Sequence, residues 1–326
     1  MSKLSPTQVA KSAQNAHERI KDRIIHTPLF PSRQNPDFLF FKADNFQRTG
    51  SFKIRGAMNK LSKAMANGEG TSTRFITASS GNHGIGAATA AVDLGADLTV
   101  VLPENVAPLK LERIKAIGAN VVVAGAEAGA SEMEAQKLAD SEGYVYISPY
   151  NDPDIIAGQG TIGVELLDDF GGGQIDNIFI SLGGGGLVSG IASVLKIANS
   201  KTKVWGVSAK NSAALDASIK AGRVVETEHL PTVADAVAGG IDETTVTLPL
   251  ACETVDHLLQ CTEEEIEACM GELAFDEGMV VEGSAALALA GYHQVASTIE
   301  GETSVVLLCG GNISREQVQQ ILSKEE

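Results

Sequence analysis

The chain has 326 residues, with 25 Lys and Arg against 41 Asp and Glu, a formal charge of −16, and 44% hydrophobic residues. That length supports about two lobes at the usual ~150 residues per domain, and the negative charge makes phosphate backbones and anionic lipid poor partners, so small molecules are left. The cysteines (Cys252, Cys261, Cys269, Cys309) follow no CxxC spacing, and the polar N-terminus has no secretory pattern. No apolar run approaches the roughly 18 residues of a membrane span, so a reduced, cytoplasmic protein with no membrane or nucleic-acid partner is expected.

The N-terminal stretch has a helical pattern. From residue 74 onward, β-rich runs at 74–79, 97–103, 120–125 and 144–149 alternate with the helical stretches GNHGIGAATAAVDLGA, LKLERIKAIGA and SEMEAQKLADSEG. This βαβαβ order with short connections predicts a parallel twisted sheet. A second series follows a turn read at NDPDIIAGQG: helix TIGVELLDDF, strand 177–182, helix LVSGIASVLKIAN, strand 203–208 and a late strand at 303–310. The interval 209–300 reads as mostly helical, EEEIEACMGELAFDEG most plainly, and an amphipathic helix closes the chain. The expectation is an α/β protein of two doubly wound parallel-sheet domains, the smaller (74–148) inserted in the larger (1–73 plus 149–326).

Glycine, at 34 residues, exceeds its usual share of about 7% and is clustered. Four constellations carry the clusters. The first, Thr49 to Ala57, contains Lys53 next to Phe52. Alone, such a lysine reads as a snorkelling surface residue; desolvated in a cleft, it has a lowered pKa and can form a Schiff base. The second, Ser79-Ser80-Gly81-Asn82-His83-Gly84, falls between a strand and a helix, where free amides receive an anion such as a carboxylate. Either serine could instead be an ordinary helix cap. The third, Gly183-Gly184-Gly185-Gly186-Leu187, lets backbone approach a phosphate closely. No Gly-Lys-Ser/Thr follows it, and no acidic residue stands where a dinucleotide fingerprint needs one, so a single phosphate fits best. The fourth, Cys309-Gly310-Gly311-Asn312, ends a hydrophobic strand, where open α/β sheets place ligands; Cys309 alone would read as a core thiol.

Together these segments resemble the fold-type II pyridoxal-phosphate enzymes (tryptophan synthase β-like), closely the serine/threonine dehydratase and serine racemase branch. SFKIRGA, SSGNHG, GGGGL and CGGN occur in that family's order, and the resemblance runs from about Arg19 to Ile321. It implies that Lys53 carries pyridoxal phosphate as a Schiff base with Phe52 against the ring. It further implies Asn82 at the ring hydroxyl, Gly183 to Leu187 at the phosphate, and Cys309 at the pyridine nitrogen. Ser79, Ser80, Gly81, Asn82 and His83 would receive the substrate carboxylate. The implied activity is a dehydratase (ammonia-lyase) acting on L-threonine, L-serine or 3-hydroxyaspartate. Ser80, as a second catalytic group facing Lys53 across the cofactor, makes a serine racemase the alternative, and a β-replacement enzyme a more distant one. A homodimer is implied as well.

Some positions depart from the family pattern. Where racemase-like members have a Glu and an Asp for a divalent cation, this chain has Ser208 and Ala214, with Asp216 two residues out of register, so a metal site is doubtful. Ala236 replaces a glycine, and Asp44 replaces a Glu. Glu282 matches a family glutamate near the active site, although a helix N-terminal charge explains it equally.

Overall fold

A computed structural model of the chain describes residues 4–66 and 73–323. Its larger sheet has six strands in the order β1 (Leu29–Pro31), β2 (Leu39–Ala43), β10 (Ser304–Leu308), β7 (Asn177–Ser181), β8 (Lys203–Ala209) and β9 (His257–Cys261). All neighbours run parallel except the edge pair β1 and β2. The smaller sheet is wholly parallel, in the order β5 (Asn120–Val123), β4 (Asp97–Leu102), β3 (Arg74–Ala78) and β6 (Val145–Tyr146). The central strands β7 (NIFIS) and β10 (SVVLL) are buried along their whole length with apolar centres, because helices cover both faces.

The helices are α1 (Pro6–Ile20), α2 (Lys53–Ala64), α3 (Asn82–Leu94), α4 (Pro108–Ile117), α5 (Ala128–Glu142), α6 (Pro153–Asp169), α7 (Gly186–Ala198), α8 (Ala214–Ala221), α9 (Thr247–Thr254), α10 (Glu263–Phe275), α11 (Gly283–Val295) and α12 (Arg315–Ser323). The α/β class with parallel sheets is as the sequence implies. Under the larger sheet the core includes Phe179, Ile180, Val204, Leu289 and Leu307. The core of the smaller sheet joins Phe75, Val100 and Leu102 to Met58 and Leu61 of α2 and to Ile20 and Ile24, so residues well before 74 form one of its walls.

Three local expectations need correction. The segment DIIAGQG is helical rather than a turn: Asp152 caps α6 by accepting from Asp154 N (2.7 Å) and Ile155 N (3.1 Å), with Pro153 at the first position. Its glycines serve packing, since a Cβ on Gly158 would lie 2.5 Å from Gly56 Cα of α2. Strand β9 lies inside the interval read as helical; as a five-residue edge strand it is too short to show a period. Strands β1 and β2 were not anticipated, Lys42 interrupting the apolar run of β2. The closing helix is present to Ser323, and its expected last three residues lie outside the described ones.

Lys42 is fully buried because it belongs to an ion cluster beneath α2. Arg55 donates to both oxygens of Asp44 (Nε–Oδ2 2.8 Å, Nη2–Oδ1 2.9 Å) and both of Glu165 (2.5 and 3.0 Å). Lys42 Nζ lies 2.9 Å from Glu165 and 2.8 Å from Asp169. The first turn of α2 is thereby anchored two residues from Lys53.

Candidate active site

All four glycine constellations follow the C-terminal ends of parallel strands: residues 44–52 follow β2, Ser79–Gly81 follow β3, Gly183–Gly185 follow β7, and Cys309–Asn312 follow β10. In open α/β sheets that edge is where ligands bind. Here the two sheets bring these ends to one cleft of about 500 Å³, open solvent at its mouth included. Its walls contain Phe52, Lys53, Asn82, Gly183 to Val188, Glu282, Ser284 and Cys309.

Lys53 opens α2, and its position is fixed by the turn after β10. Ser51 bridges Gly310, Phe52 N donates to Cys309 O (3.1 Å), and Gly311 N donates to Gly50 O (2.8 Å). On the other side α3 approaches closely, since a Cβ on Gly86 would lie 2.9 Å from Ile54 N and 3.0 Å from Lys53 C. The Lys53 side chain faces the cleft and donates to Pro149 O (3.0 Å). Protein packed around the amine lowers its pKa to about 8, against the opposing pull of Cys309 and Glu282.

Gly185 caps α7 in the left-handed region (φ 86°), which suits a residue without Cβ, and no side chain caps the helix. The first-turn amides of α7 therefore open on the cleft with the positive end of the helix dipole. Beside them Ser181 Oγ is buried and has no hydrogen-bond partner. Gly184 and Gly186 pack on Tyr150, whose ring a Cβ at Gly184 would strike at 2.3 Å. Tyr150 is itself held by its hydroxyl, which accepts from Asp242 N (2.8 Å).

Cys309 is buried, and burial pushes its thiol well above the usual range, with Glu282 adding to the effect, so it stays neutral. Asn82 Nδ2 donates to Glu282 (2.8 and 3.1 Å), and its Oδ1 accepts from Asn312 Nδ2 (2.6 Å). Burial raises the Glu282 carboxyl against the bonds from Asn82 and Asn312, which favour its ionised form. Arg113 of α4 donates to Asn312 Oδ1 (3.0 Å), so this polar chain ties the two sheets together at the cleft.

The second constellation is only partly in the cleft wall. Gly81, not a serine, is the cap of α3 and provides no side-chain bond; Ser79 Oγ instead accepts from Gly81 N (3.2 Å). Ser79, Ser80 and Gly81 are partly exposed beside the cleft. The His83 ring turns into the smaller lobe, where Nε2 meets Thr77 Oγ1 (3.0 Å) and Ile147 O (3.2 Å). Burial and the charge on Lys53 lower its pKa to about 3, so the ring is neutral. At the doubtful cation position, Ser208 is buried and Ala214 opens α8, while Asp216 is engaged by Lys220 Nζ (2.7 Å) and Gln260 Nε2 (2.9 Å).

Sequence reasoning did not single out Ser181, Tyr150, Pro149 or Ser284, and it named Asn312 only as part of the fourth constellation, without a role. Ser181 stands two residues before the glycine run and Asn312 inside the CGGN motif, so both had a positional signal. Tyr150 and Ser284 reach the cleft through folding alone.

A profile of the family described as pyridoxal-phosphate dependent enzymes matches residues 20–310. The chain belongs to that family. Within it, the chain falls in the fold-type II serine/threonine dehydratase group. It is 35% identical to the L-threo-3-hydroxyaspartate ammonia-lyase of Saccharomyces cerevisiae, over 96% of this chain and 95% of that one. It is 34% identical to the catabolic L-threonine dehydratase of Escherichia coli K12, over 94% and 93%. Among solved structures, maize serine racemase superposes with a TM-score of 0.86 at 28% identity, covering 97% of both chains. Threonine deaminase isoform 2 of Solanum lycopersicum gives 0.89 at 27%, covering 99% of this chain and 96% of that one. The cofactor of this family is pyridoxal phosphate. No described helix is long and apolar enough to cross a membrane.

Proposed function

We propose that this family member is an ammonia-lyase that dehydrates a small β-hydroxy amino acid (L-threonine, L-serine or 3-hydroxyaspartate) and leaves an oxo acid and ammonia. The observation that carries the reading is the Lys53 amine, lowered to about 8 and facing the same cleft as the uncapped amides of α7. The cleft residues fit the cofactor: an amine for its aldehyde, open amides and the unpartnered Ser181 hydroxyl for its phosphate, and a neutral thiol for its ring nitrogen. When bound, the cofactor supplies an electron sink for the substrate α-carbon.

In this reading Lys53 would hold the cofactor through its amine and, as a free neutral amine, would act as the base for the substrate α-proton. Phe52 would pack against the ring, Asn82 would hold its hydroxyl, and Gly183, Gly184, Gly185, Gly186 and Leu187 would take the phosphate through backbone amides. Cys309, as a neutral thiol, would serve the ring nitrogen without protonating it, which suits elimination over transamination. Ser79, Ser80, Gly81 and Asn82 receive the substrate carboxylate at the uncapped start of α3. His83 contributes its backbone amide there, its ring being bound to Thr77 and Ile147.

The relatives support a lyase; the racemase reading is kept open by Ser80, whose hydroxyl is partly exposed beside the cleft. The test is to supply the purified protein with cofactor and each of the three amino acids. Oxo acid, ammonia and the configuration of residual substrate are then measured. Oxo acid with unchanged configuration is expected. Inverted substrate accumulating faster than oxo acid overturns the lyase in favour of the racemase, and then Ser80→Ala abolishes inversion. Lys53→Ala is expected to lower turnover at least about 10³-fold, the scale of a positioned acid–base group.

The same proposal includes a homodimer in the cytoplasm with no nucleic-acid partner, and a division into 1–73 plus 149–326 and 74–148. It also includes turnover independent of Mg2+ or Ca2+ at Ser208 and Ala214, where neither side chain offers a carboxylate. Chelation followed by Mg2+ or Ca2+ addition should leave the rate unchanged.

A further inference from the structure

On the face of the larger lobe formed by α10 and α11, three side chains of different chemistry converge. Cys269 and Glu272 lie at i and i+3 on α10 and so share a face of that helix. His293 lies in the last turn of α11, which packs against it. One ligand atom from each residue (Sγ, a carboxylate oxygen, an imidazole nitrogen) lies within 4.8 Å of the other two. Among the described residues this is the one group of three such side chains that converges so closely.

We propose that Cys269, Glu272 and His293 form a binding site for a borderline-soft divalent ion, zinc being the best match. Glu272 Oε2 is 2.8 Å from His293 Nε2, a hydrogen bond that would open by roughly half an ångström to admit the ion, since two ligands at about 2.1 Å from a tetrahedral zinc stand about 3.4 Å apart. A Glu–His hydrogen bond alone would not need a thiol beside it. Thiolate and imidazole ligands select zinc over Mg2+ or Ca2+, which demand oxygen donors. The burial grades from the covered thiol, through the half-buried carboxylate, to the exposed imidazole, so the ion has an entry path and a fourth position open to water. On binding, the Cys269 thiol gives its proton to solvent and the Zn–S bond forms. The thiolate and carboxylate then balance the two charges of the ion.

The site is independent of the proposed activity, but it joins two helices whose connection carries Glu282 into the cleft. An ion here would hold α10 to α11 and stabilise the lobe.

The test uses the holoenzyme, stripped of adventitious metal with a chelator and then dialysed against micromolar zinc. Bound zinc is counted per chain, and the melting temperature is recorded with and without the ion. One zinc per chain is expected, with Tm raised by roughly 2–5 °C. Cys269→Ser and His293→Gln should each weaken binding more than about tenfold and remove the Tm rise, while Cys252→Ser keeps both. His293→Gln changes an exposed residue, so it remains informative if Cys269→Ser folds poorly. No saturable zinc at micromolar concentration, or zinc retained in both cluster variants, overturns the proposal.

Discussion

Lys53 has to be neutral to attack the cofactor aldehyde, and its pKa of about 8 fixes the pH at which that becomes easy. Below that value each pH unit raises the neutral fraction tenfold; above it nothing further is gained. The rate at which cofactor-free protein takes up pyridoxal phosphate should therefore rise with pH and level off above about 8, as absorbance-monitored mixing would show. A plateau already reached near pH 6, or a rise continuing to pH 10, would contradict this placement of the amine. Lys53, the glycine run and Cys309 were legible beforehand because each occurs in a short motif tied to a strand end. Ser181 and Tyr150 were not: an unpartnered hydroxyl or a ring against a glycine is a fact of three-dimensional packing. The His83 ring is the converse case, because the motif suggests contact with substrate while a buried hydrogen bond to Thr77 turns the imidazole away.

Helix α2 joins the reactive lysine to a cluster of buried charges. Within its first four residues it presents Lys53 to the cleft, Arg55 to Asp44 and Glu165, and Gly56 to α6. Replacing Arg55 by Met leaves two buried carboxylates without their main partner, a change that typically costs 3–5 kcal/mol. Urea denaturation should show a loss of about that size, with cofactor retention falling alongside it. Gly86→Ala acts on the other face of the same helix, where the added methyl would meet Lys53 and Ile54 backbone at 3.0 Å or less. We expect this variant to fold and to lose turnover by about 10²-fold, the effect of displacing a catalytic group by about 1 Å. Unchanged kcat would show that α3 can yield without moving the lysine. Elements of this kind were readable where their pattern was long: α3, α7 and α10 lie within a few residues of the expected positions. The start of α6 was misread because its glycines look like a turn until α2 is seen packed against them.

At the scale of the whole molecule, the ion cluster sets the behaviour in acid. Burial would raise the Glu165 carboxyl, but Arg55 and then Lys42 overcome it and hold the group at about 2. Its folded pKa lies below the ordinary glutamate value of about 4.5, so the unfolded chain binds the extra proton first as pH falls. The stabilisation is complete above about 4.5 and is lost as pH falls toward 2, on the order of 3 kcal/mol. Melting temperature should decline across that window, and less steeply in Glu165→Gln, which starts from lower stability. The chain's topology was legible only in outline: alternation gave parallel sheets, but nothing local reveals that β2 lies beside β10, pairing Leu39 with Ser304. Pairings that distant are slow to form. The cleft inherits this property, since its walls come from residues 52, 82, 183–188, 282 and 309 and from both sheets. No fragment and no half-folded chain contains it, so bound cofactor per chain becomes a count of the molecules that have completed folding.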